Sequence, residues 1–252
     1  MGKIIAIANQ KGGVGKTTTA VNLASCLAAA EKKTCLVDMD PQANSTSGVG
    51  AEIGDVELSI YDVLLGRKSA REVVRSTDLQ YLNLIPSSIE LVGAEVEMVG
   101  MISRESRLKS ALAAIVDDYM YMVVDCPPSL GLLTVNTLTA ADAVIIPIQC
   151  EYYALEGLGQ LMNTIRLVRE NLNPNLEVDG VLLTMYDGRL NLSRQVSDEV
   201  RKHFDHKVYE TVINRNVRLS EAPSFGKPII LYDILSTGAE NYMALTKEVL
   251  TQ

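Results

Sequence analysis

Gln10-Lys11-Gly12-Gly13-Val14-Gly15-Lys16-Thr17-Thr18 stands between an apolar run, Ile4-Ile5-Ala6-Ile7-Ala8, and an alanine-rich segment ending near Ala30. That order predicts a strand, a glycine loop and a helix. In such a turn successive backbone N–H groups point inward and the helix N-terminus adds partial positive charge. Gly12, Gly13, Val14, Gly15, Lys16, Thr17 and Thr18 are therefore expected to cradle phosphate. Lys16 would reach the β- and γ-phosphates of a nucleoside triphosphate, and the Thr17 hydroxyl would hold Mg²⁺.

Two other readings of the loop stand beside this one. A glycine-rich turn between strand and helix can be a dinucleotide fingerprint, with Asp38 at about the right distance to hold a ribose. It can also be a packing turn. Against the first, counting from Gly13 puts Thr18 where the last glycine belongs; against the second, two lysines and two threonines are odd for packing alone.

The ordinary phosphate-loop pattern asks for glycine five positions before Gly15, and Gln10 is there instead. What the chain has is x-K-G-G-x-x-K-[ST], with an extra lysine, Lys11, at the mouth. Here it resembles the ATPases with a deviant P-loop, the ParA/MinD group. The resemblance implies that Lys11 reaches across a dimer interface to the partner's nucleotide and joins Lys16 and Asp40 as a catalytic residue.

Three further stretches resemble ParA-like proteins in the same order. Val37-Asp38-Met39-Asp40-Pro41-Gln42-Ala43-Asn44 follows a short apolar strand from Thr34. Side chains alternate along a strand, so Asp38 and Asp40 are expected to face the same way at its C-terminal end, where ligands of doubly wound sheets bind. By resemblance Asp40 positions the attacking water and contributes to the metal site, and Asp38 supports the magnesium shell. The other reading of either carboxylate is a cap for the next helix.

Met120-Tyr121-Met122-Val123-Val124-Asp125-Cys126-Pro127-Pro128 is an apolar strand ending in an aspartate. A carboxylate there can bind the water shell of a magnesium ion opposite Thr17. The last stretch, Asn214 to Ser224, resembles the ParA segment that completes the nucleotide pocket and precedes the last strand. On that analogy Asn216 contacts the base, and Met185, in the loop after the strand Gly180–Thr184, lies where a base is read.

Elsewhere the sequence predicts a capped short helix from Ser59 to Leu65, a strand from Leu79 to Ile85 and an amphipathic helix from Arg104 to Val116, with Arg104, Arg107 and Lys109 on its solvated face. Ala143 to Ile148 reads as a buried strand, and Gln149 to Gly157 leads into a helix to about Asn171. Tyr152 and Tyr153 fit an interface. The chain is expected to end in a helix from Ala239 to Leu250.

The 252 residues suit one large α/β domain over 1–252. Only two Phe and no Trp make the core aliphatic, as a buried parallel sheet prefers. Cys26, Cys35, Cys126 and Cys150 form no CxxC pair, so neither zinc nor a disulfide framework is suggested. The net charge of −8 argues against a globally basic nucleic-acid coat. Yet residues 184–230 hold eight Lys/Arg against six Asp/Glu. Arg189, Arg215 and Arg218 there read as loop arginines with few neighbouring acids; Arg189 and Arg218 are the expected DNA-phosphate contacts.

The whole pattern resembles a small ParA/Soj-type chromosome- or plasmid-partitioning ATPase. That resemblance implies ATP and Mg²⁺ as cofactors, an ATP-bound homodimer, binding to double-stranded DNA without sequence preference, and a ParB-like centromere-binding partner that stimulates hydrolysis. It also implies a cytoplasmic, nucleoid-associated protein. The alternative is a MinD-like or cargo-positioning ATPase acting on a membrane or protein scaffold. The tail, with Lys247 beside Glu240 and Glu248, is not the basic amphipathic helix expected of a membrane-targeted relative, so no membrane partner is expected. A metabolic ATP-dependent ligase of the dethiobiotin-synthetase type is a further rival.

Overall fold

The computed structural model describes residues 2–151 and 158–251. In chain order the elements are β1 (Lys3–Ile7), α1 (Lys16–Ala29), β2 (Thr34–Asp38), α2 (Asn44–Gly48), α3 (Ile60–Leu64), α4 (Ala70–Val73), β3 (Arg75–Ser76), β4 (Leu82–Ile85) and α5 (Leu91–Glu97). Then come α6 (Arg107–Leu112), β5 (Tyr121–Asp125), α7 (Leu132–Ala140), β6 (Ala143–Gln149), α8 (Leu158–Asn171), β7 (Glu177–Thr184), α9 (Asn191–Phe204), α10 (Val217–Glu221), α11 (Ile229–Tyr232) and α12 (Thr237–Thr251).

Among the described residues seven strands form one sheet in the order β3-β4-β2-β5-β1-β6-β7. All neighbours are parallel except the two-residue edge strand β3, which runs against β4. Parallel strands need helical crossovers, and these cover both faces, which is the expected doubly wound α/β fold.

Strand alternation divides the core in two. Ile4 and Ala6, Cys35 and Val37, Met122 and Val124 turn to the face covered by α3, α5, α6, α7, α8 and α9. Ile5 and Ile7, Leu36 and Val123 turn to the face covered by α1 and α12. Both faces are apolar, so these strands read as continuous hydrophobic runs.

Several expected boundaries shift for local reasons. The strand near Leu79 starts at Leu82, because Thr77 and Leu79 close a turn in which the Thr77 hydroxyl accepts from the Leu79 N–H at 3.2 Å. The helix expected over 104–116 is confined to Arg107–Leu112; Ser103, in the left-handed region at φ 54°, leads into a separate tight turn over Arg104–Ser106. Arg107 is not free in solvent, since its Nε donates to the Leu64 carbonyl at 2.8 Å. The β7 strand begins three residues before Gly180, where Glu177 pairs with Ala143.

No strand follows Asn214 among the described residues, so the expected last strand is absent there. Pro223 and Pro228 lack the N–H groups a ladder needs, and the segment folds as short helices leading to α12. The capped helix after Ser59 is present, with a reciprocal Ser59–Asp62 capping box. Tyr152 and Tyr153 lie outside the described residues.

Candidate nucleotide-binding site

Because β1, β2, β4 and β5 run parallel, their C-terminal ends share one edge, and the loops from those ends build the site. Gly13 (φ 73°) and Gly15 (φ 87°) adopt left-handed backbone, which non-glycine residues enter only at a cost. Gly15 caps α1 without any side-chain bond, so the first N–H groups of the helix face the loop. The Thr184 hydroxyl at the end of β7 donates to the Val14 carbonyl at 2.9 Å and fixes the loop's far side.

Lys16 is buried, and its Nζ donates to the Lys11 carbonyl at 2.9 Å. Burial lowers its pKa, opposed first by the neighbouring Asp125 carboxyl group and also by that of Asp40. The Lys11 peptide is itself held: its N–H donates at 3.0 Å to the Asn9 Oδ1, while Asn9 Nδ2 donates at 2.7 Å to the Pro147 carbonyl. Sequence reasoning missed Asn9; its only signal was its position at the mouth of the loop.

Asp125 is fully buried at the end of β5. Its Oδ2 accepts from the Ser45 hydroxyl at 2.7 Å, whereas Oδ1 has no hydrogen-bond partner among the described residues. The Thr17 hydroxyl lies close enough to act on this carboxyl. Burial is the main cause pushing its pKa up, followed by the neighbouring Asp38 charge. A buried carboxylate oxygen without a donor, beside a threonine hydroxyl at a phosphate loop, fits a hydrated magnesium ion. Among the described residues no group of three or more His, Cys, Asp or Glu could hold a metal ion.

Asp38 and Asp40 differ in duty. Asp38 is buried, accepting from the Asp40 N–H at 3.1 Å through Oδ1 and from the Thr46 N–H and hydroxyl, each at 2.8 Å, through Oδ2. Both oxygens are occupied by backbone and hydroxyl donors near the start of α2, which is the capping reading of this residue. Burial raises its pKa against those donors. Asp40 leaves the strand, and its side chain accepts from the Gln42 N–H at 2.9 Å.

Beside the loop is a cavity of about 220 Å³ lined by Gly15, Thr18, Met185, Asn214, Asn216 and Pro223 among others. Met185 sits there with φ 49°. The Asn216 side chain caps α10, its Oδ1 accepting from the Leu219 N–H at 3.2 Å. The sequence singled out Met185 and Asn216 but not Asn214, whose N–H donates to Asn241 Oδ1 at 3.0 Å.

The expected DNA contacts have acidic neighbours after all. Arg189 forks onto Asp187, Nε to Oδ1 at 2.9 Å and Nη2 to Oδ2 at 2.7 Å, and this arginine holds the Asp187 carboxyl down at about 2. Arg218 lies on α10, not in a loop, with Glu221 at 2.9 Å and Asp233 at 3.4 Å. Arg215 lies 3.8 Å from Glu151. Asp187 and Glu221 sit within three residues in sequence of Arg189 and Arg218, a spacing that a count of net charge does not register, and Asp233 reaches Arg218 from fifteen residues on.

The AAA domain family model (AAA_31) matches residues 2–178. The chain is 61% identical over 249 residues to the sporulation initiation inhibitor protein Soj of Bacillus subtilis, covering 99% of this chain and 98% of that protein. The chain belongs to the Soj/ParA family of chromosome-partitioning ATPases. A chromosome partitioning protein ParA of Myxococcus xanthus is 56% identical, with 99% of this chain and 88% of that protein covered. Among solved structures, a cobyrinic acid a,c-diamide synthase from Mycobacterium smegmatis with bound ADP and magnesium superposes with TM-score 0.88 at 37% identity, covering 99% of this chain and 94% of that one. The Pyrococcus furiosus cell division ATPase MinD, at TM-score 0.80 and 23% identity over 100% of this chain and 99% of that one, shares the Soj/ParA fold.

Proposed function

We propose that this Soj/ParA chain is an ATP-hydrolysing DNA-segregation switch. Gly12 to Thr18 bind the phosphates, Lys16 neutralises the β- and γ-oxygens, and Met185 and Asn216 border the base. Thr17, Asp40 and Asp125 would hold Mg²⁺, which would neutralise charge building on the phosphates. Asp40 orients the attacking water. Lys11 of each subunit reaches the other's nucleotide when two ATP-bound copies close face to face.

Little covalent chemistry is asked of these residues, because phosphoryl transfer depends on positioning and charge neutralisation. The closed pair joins Arg189 and Arg218 of both copies into a basic surface for double-stranded DNA without sequence preference. A ParB-like partner accelerates hydrolysis, and loss of the γ-phosphate opens the pair. The observation that carries this reading is the convergence at one sheet edge of the lysine-bearing phosphate loop, Asp40 and the unbonded Oδ1 of Asp125. Among the described residues no helix is long and apolar enough to cross a membrane.

The test is binding of an Asp40→Ala variant to unrelated duplex DNA with ATP and Mg²⁺, and with ADP, at low and moderate salt. Binding with ATP alone, weakened by salt, is the expected result. No binding in either state would overturn the DNA role. The structural relative named as a cobyrinic acid a,c-diamide synthase raises a metabolic reading; ATP-dependent amidation of that acid by the purified protein would favour it over segregation.

A further inference from the structure

Asn214 lines the cavity beside the phosphate loop, and its backbone lies parallel to the residues that follow β7. The Tyr186 N–H donates to the Ile213 carbonyl at 3.0 Å, and the Arg215 N–H donates to the Tyr186 carbonyl at 3.0 Å. In extended backbone successive peptide groups point to opposite sides, so the N–H of Asn214, between those two, turns away from β7. It turns to α12. There one atom, Asn241 Oδ1, accepts from the Asn214 N–H at 3.0 Å and from Asn214 Nδ2 at 3.3 Å.

Polarity settles both amides. A backbone N–H only donates, so Asn241 presents its oxygen, and the limb of Asn214 that meets this oxygen is its nitrogen. Both nitrogens of Asn214 are thus held on α12. Tyr242, the next residue of that helix, is buried, lines the same cavity and pairs its hydroxyl with Thr19 Oγ1 at 3.2 Å, which ties α12 to α1 at this point. Two other polar residues of the lining are already directed: Asn216 Oδ1 accepts from the Leu219 N–H, which leaves its nitrogen as a donor, and Arg215 lies 3.8 Å from Glu151.

We infer that Asn241 is a positioning residue for base recognition. By drawing both nitrogens of Asn214 onto α12 it leaves the oxygens of Asn214 to the cavity, and a wall of acceptors selects a purine that carries an exocyclic amino donor. Adenine has that donor beside a ring-nitrogen acceptor, which suits Asn214 and the Asn216 nitrogen together; a purine with a keto oxygen in the same place sets oxygen against oxygen. Sites built on hydrogen bonds reject the wrong base sharply, because it leaves buried polar atoms unpaired. This rests on the reading above that the cavity holds the base.

The test compares ATP with inosine triphosphate, in which a keto oxygen replaces the amino group. Affinities are read by displacing a ribose-labelled fluorescent ATP analogue from the full chain with Mg²⁺. The unsubstituted protein should prefer ATP at least about tenfold. Asn241→Leu keeps the bulk but accepts nothing, which frees the Asn214 nitrogens to meet a keto oxygen, and the preference should fall about tenfold. Asn241→Asp still accepts from both nitrogens and should keep the preference, since its added charge acts on both nucleotides alike. Asn214→Ala leaves α12 intact and removes one acceptor, so it should weaken ATP about fivefold and inosine triphosphate less. A preference near one in the unsubstituted protein, a ratio unmoved by Asn241→Leu and Asn214→Ala, or a ratio lowered as much by Asn241→Asp as by Asn241→Leu overturns the inference. Met185→Trp, which sets bulk into the cavity, checks the reading beneath it: undiminished binding of the labelled nucleotide would place the base elsewhere and overturn that reading.

Discussion

Asp38 and Asp125 stand opposite one another in register at the ends of β2 and β5, and consecutive residues of α2 hold them: Thr46 bonds Asp38 at 2.8 Å and Ser45 bonds Asp125 at 2.7 Å. The first helix after Asp40 is therefore fastened to both buried carboxylates. Any movement of α2 that accompanies nucleotide exchange must alter the surroundings of both. The Ser87 N–H extends the chain of contacts, donating at 3.0 Å to the same Thr46 hydroxyl, so the end of β4 is included as well.

This pair predicts a pH dependence. Burial raises both carboxyl pKa values above the unfolded value of about 4, so the folded chain holds protons that the unfolded chain has released. Without Mg²⁺, stability from this pair is full below about pH 4 and declines as pH rises through the raised values. Asp125→Asn should remove part of that decline. Thermal midpoints of the two proteins in chelator should coincide at low pH and separate at neutral pH, the variant being higher; parallel curves would refute the assignment.

Ser45→Ala would take from Asp125 the hydroxyl that bonds its Oδ2 at 2.7 Å. Removing one partner of a buried hydrogen-bonded group costs about 1–3 kcal/mol. The loss should be read as a lower midpoint of urea unfolding without Mg²⁺, with a smaller difference once ATP and Mg²⁺ are added, since a ligand that binds only the folded chain shifts the balance back. An equal loss in both conditions would separate Asp125 from the metal site.

Lys16→Ala removes the buried ammonium of the loop. Hydrogen bonds to charged groups contribute about 1.5–3 kcal/mol each, and Lys16 is positioned to make more than one to a triphosphate. Titration with a fluorescent ATP analogue should show at least about a hundredfold loss of affinity. Retained binding would overturn the loop assignment.

The strand, loop and helix around Lys16 were legible because the motif is local: glycines at 13 and 15 supply the left-handed turns, and apolar runs supply the strand before and the helix after. The doubly wound sheet followed from apolar strands too continuous to be one-sided. What was not legible depends on contacts distant in sequence. Ser45 meets Asp125 across 80 positions and Thr184 meets Val14 across 170, and no spacing rule announces either. The acids beside Arg189 and Arg218 were not legible for a different reason. Asp187 and Glu221 are near in sequence, but whether a carboxylate faces an arginine depends on side-chain direction, fixed here by the turn after Met185 and by the helical i, i+3 spacing of Arg218 and Glu221.

Gly12→Val tests the closure of two copies. A Cβ at Gly12 meets nothing within 4 Å, so the single chain accommodates a side chain there. In the proposed closed pair the branched group would project where the two phosphate loops approach. The variant should bind ATP yet sediment as a monomer, while the unsubstituted chain with ATP sediments as a dimer. An ATP-dependent dimer of the variant would count against the face-to-face arrangement.

Arg189 and Arg218 are tested by salt. Each is already paired with carboxylates, so a DNA phosphate must replace Asp187 at Arg189 and compete with Glu221 and Asp233 at Arg218. Exposed ion pairs of this kind are worth only about 0–1 kcal/mol, a small barrier beside the release of counterions from DNA. If the ATP-bound dimer makes about four phosphate contacts, one from each arginine of each copy, log K should fall against log salt with a slope of roughly −3.6. Arg189→Ala removes one contact per copy and should bring the slope to roughly −1.8, as should Arg218→Ala, because each neutralised phosphate contributes about 0.9. Anisotropy of labelled duplex DNA across a salt series gives both slopes. Variants whose slope equals that of the unsubstituted protein would remove these two arginines from the DNA surface while leaving the nucleotide site untouched.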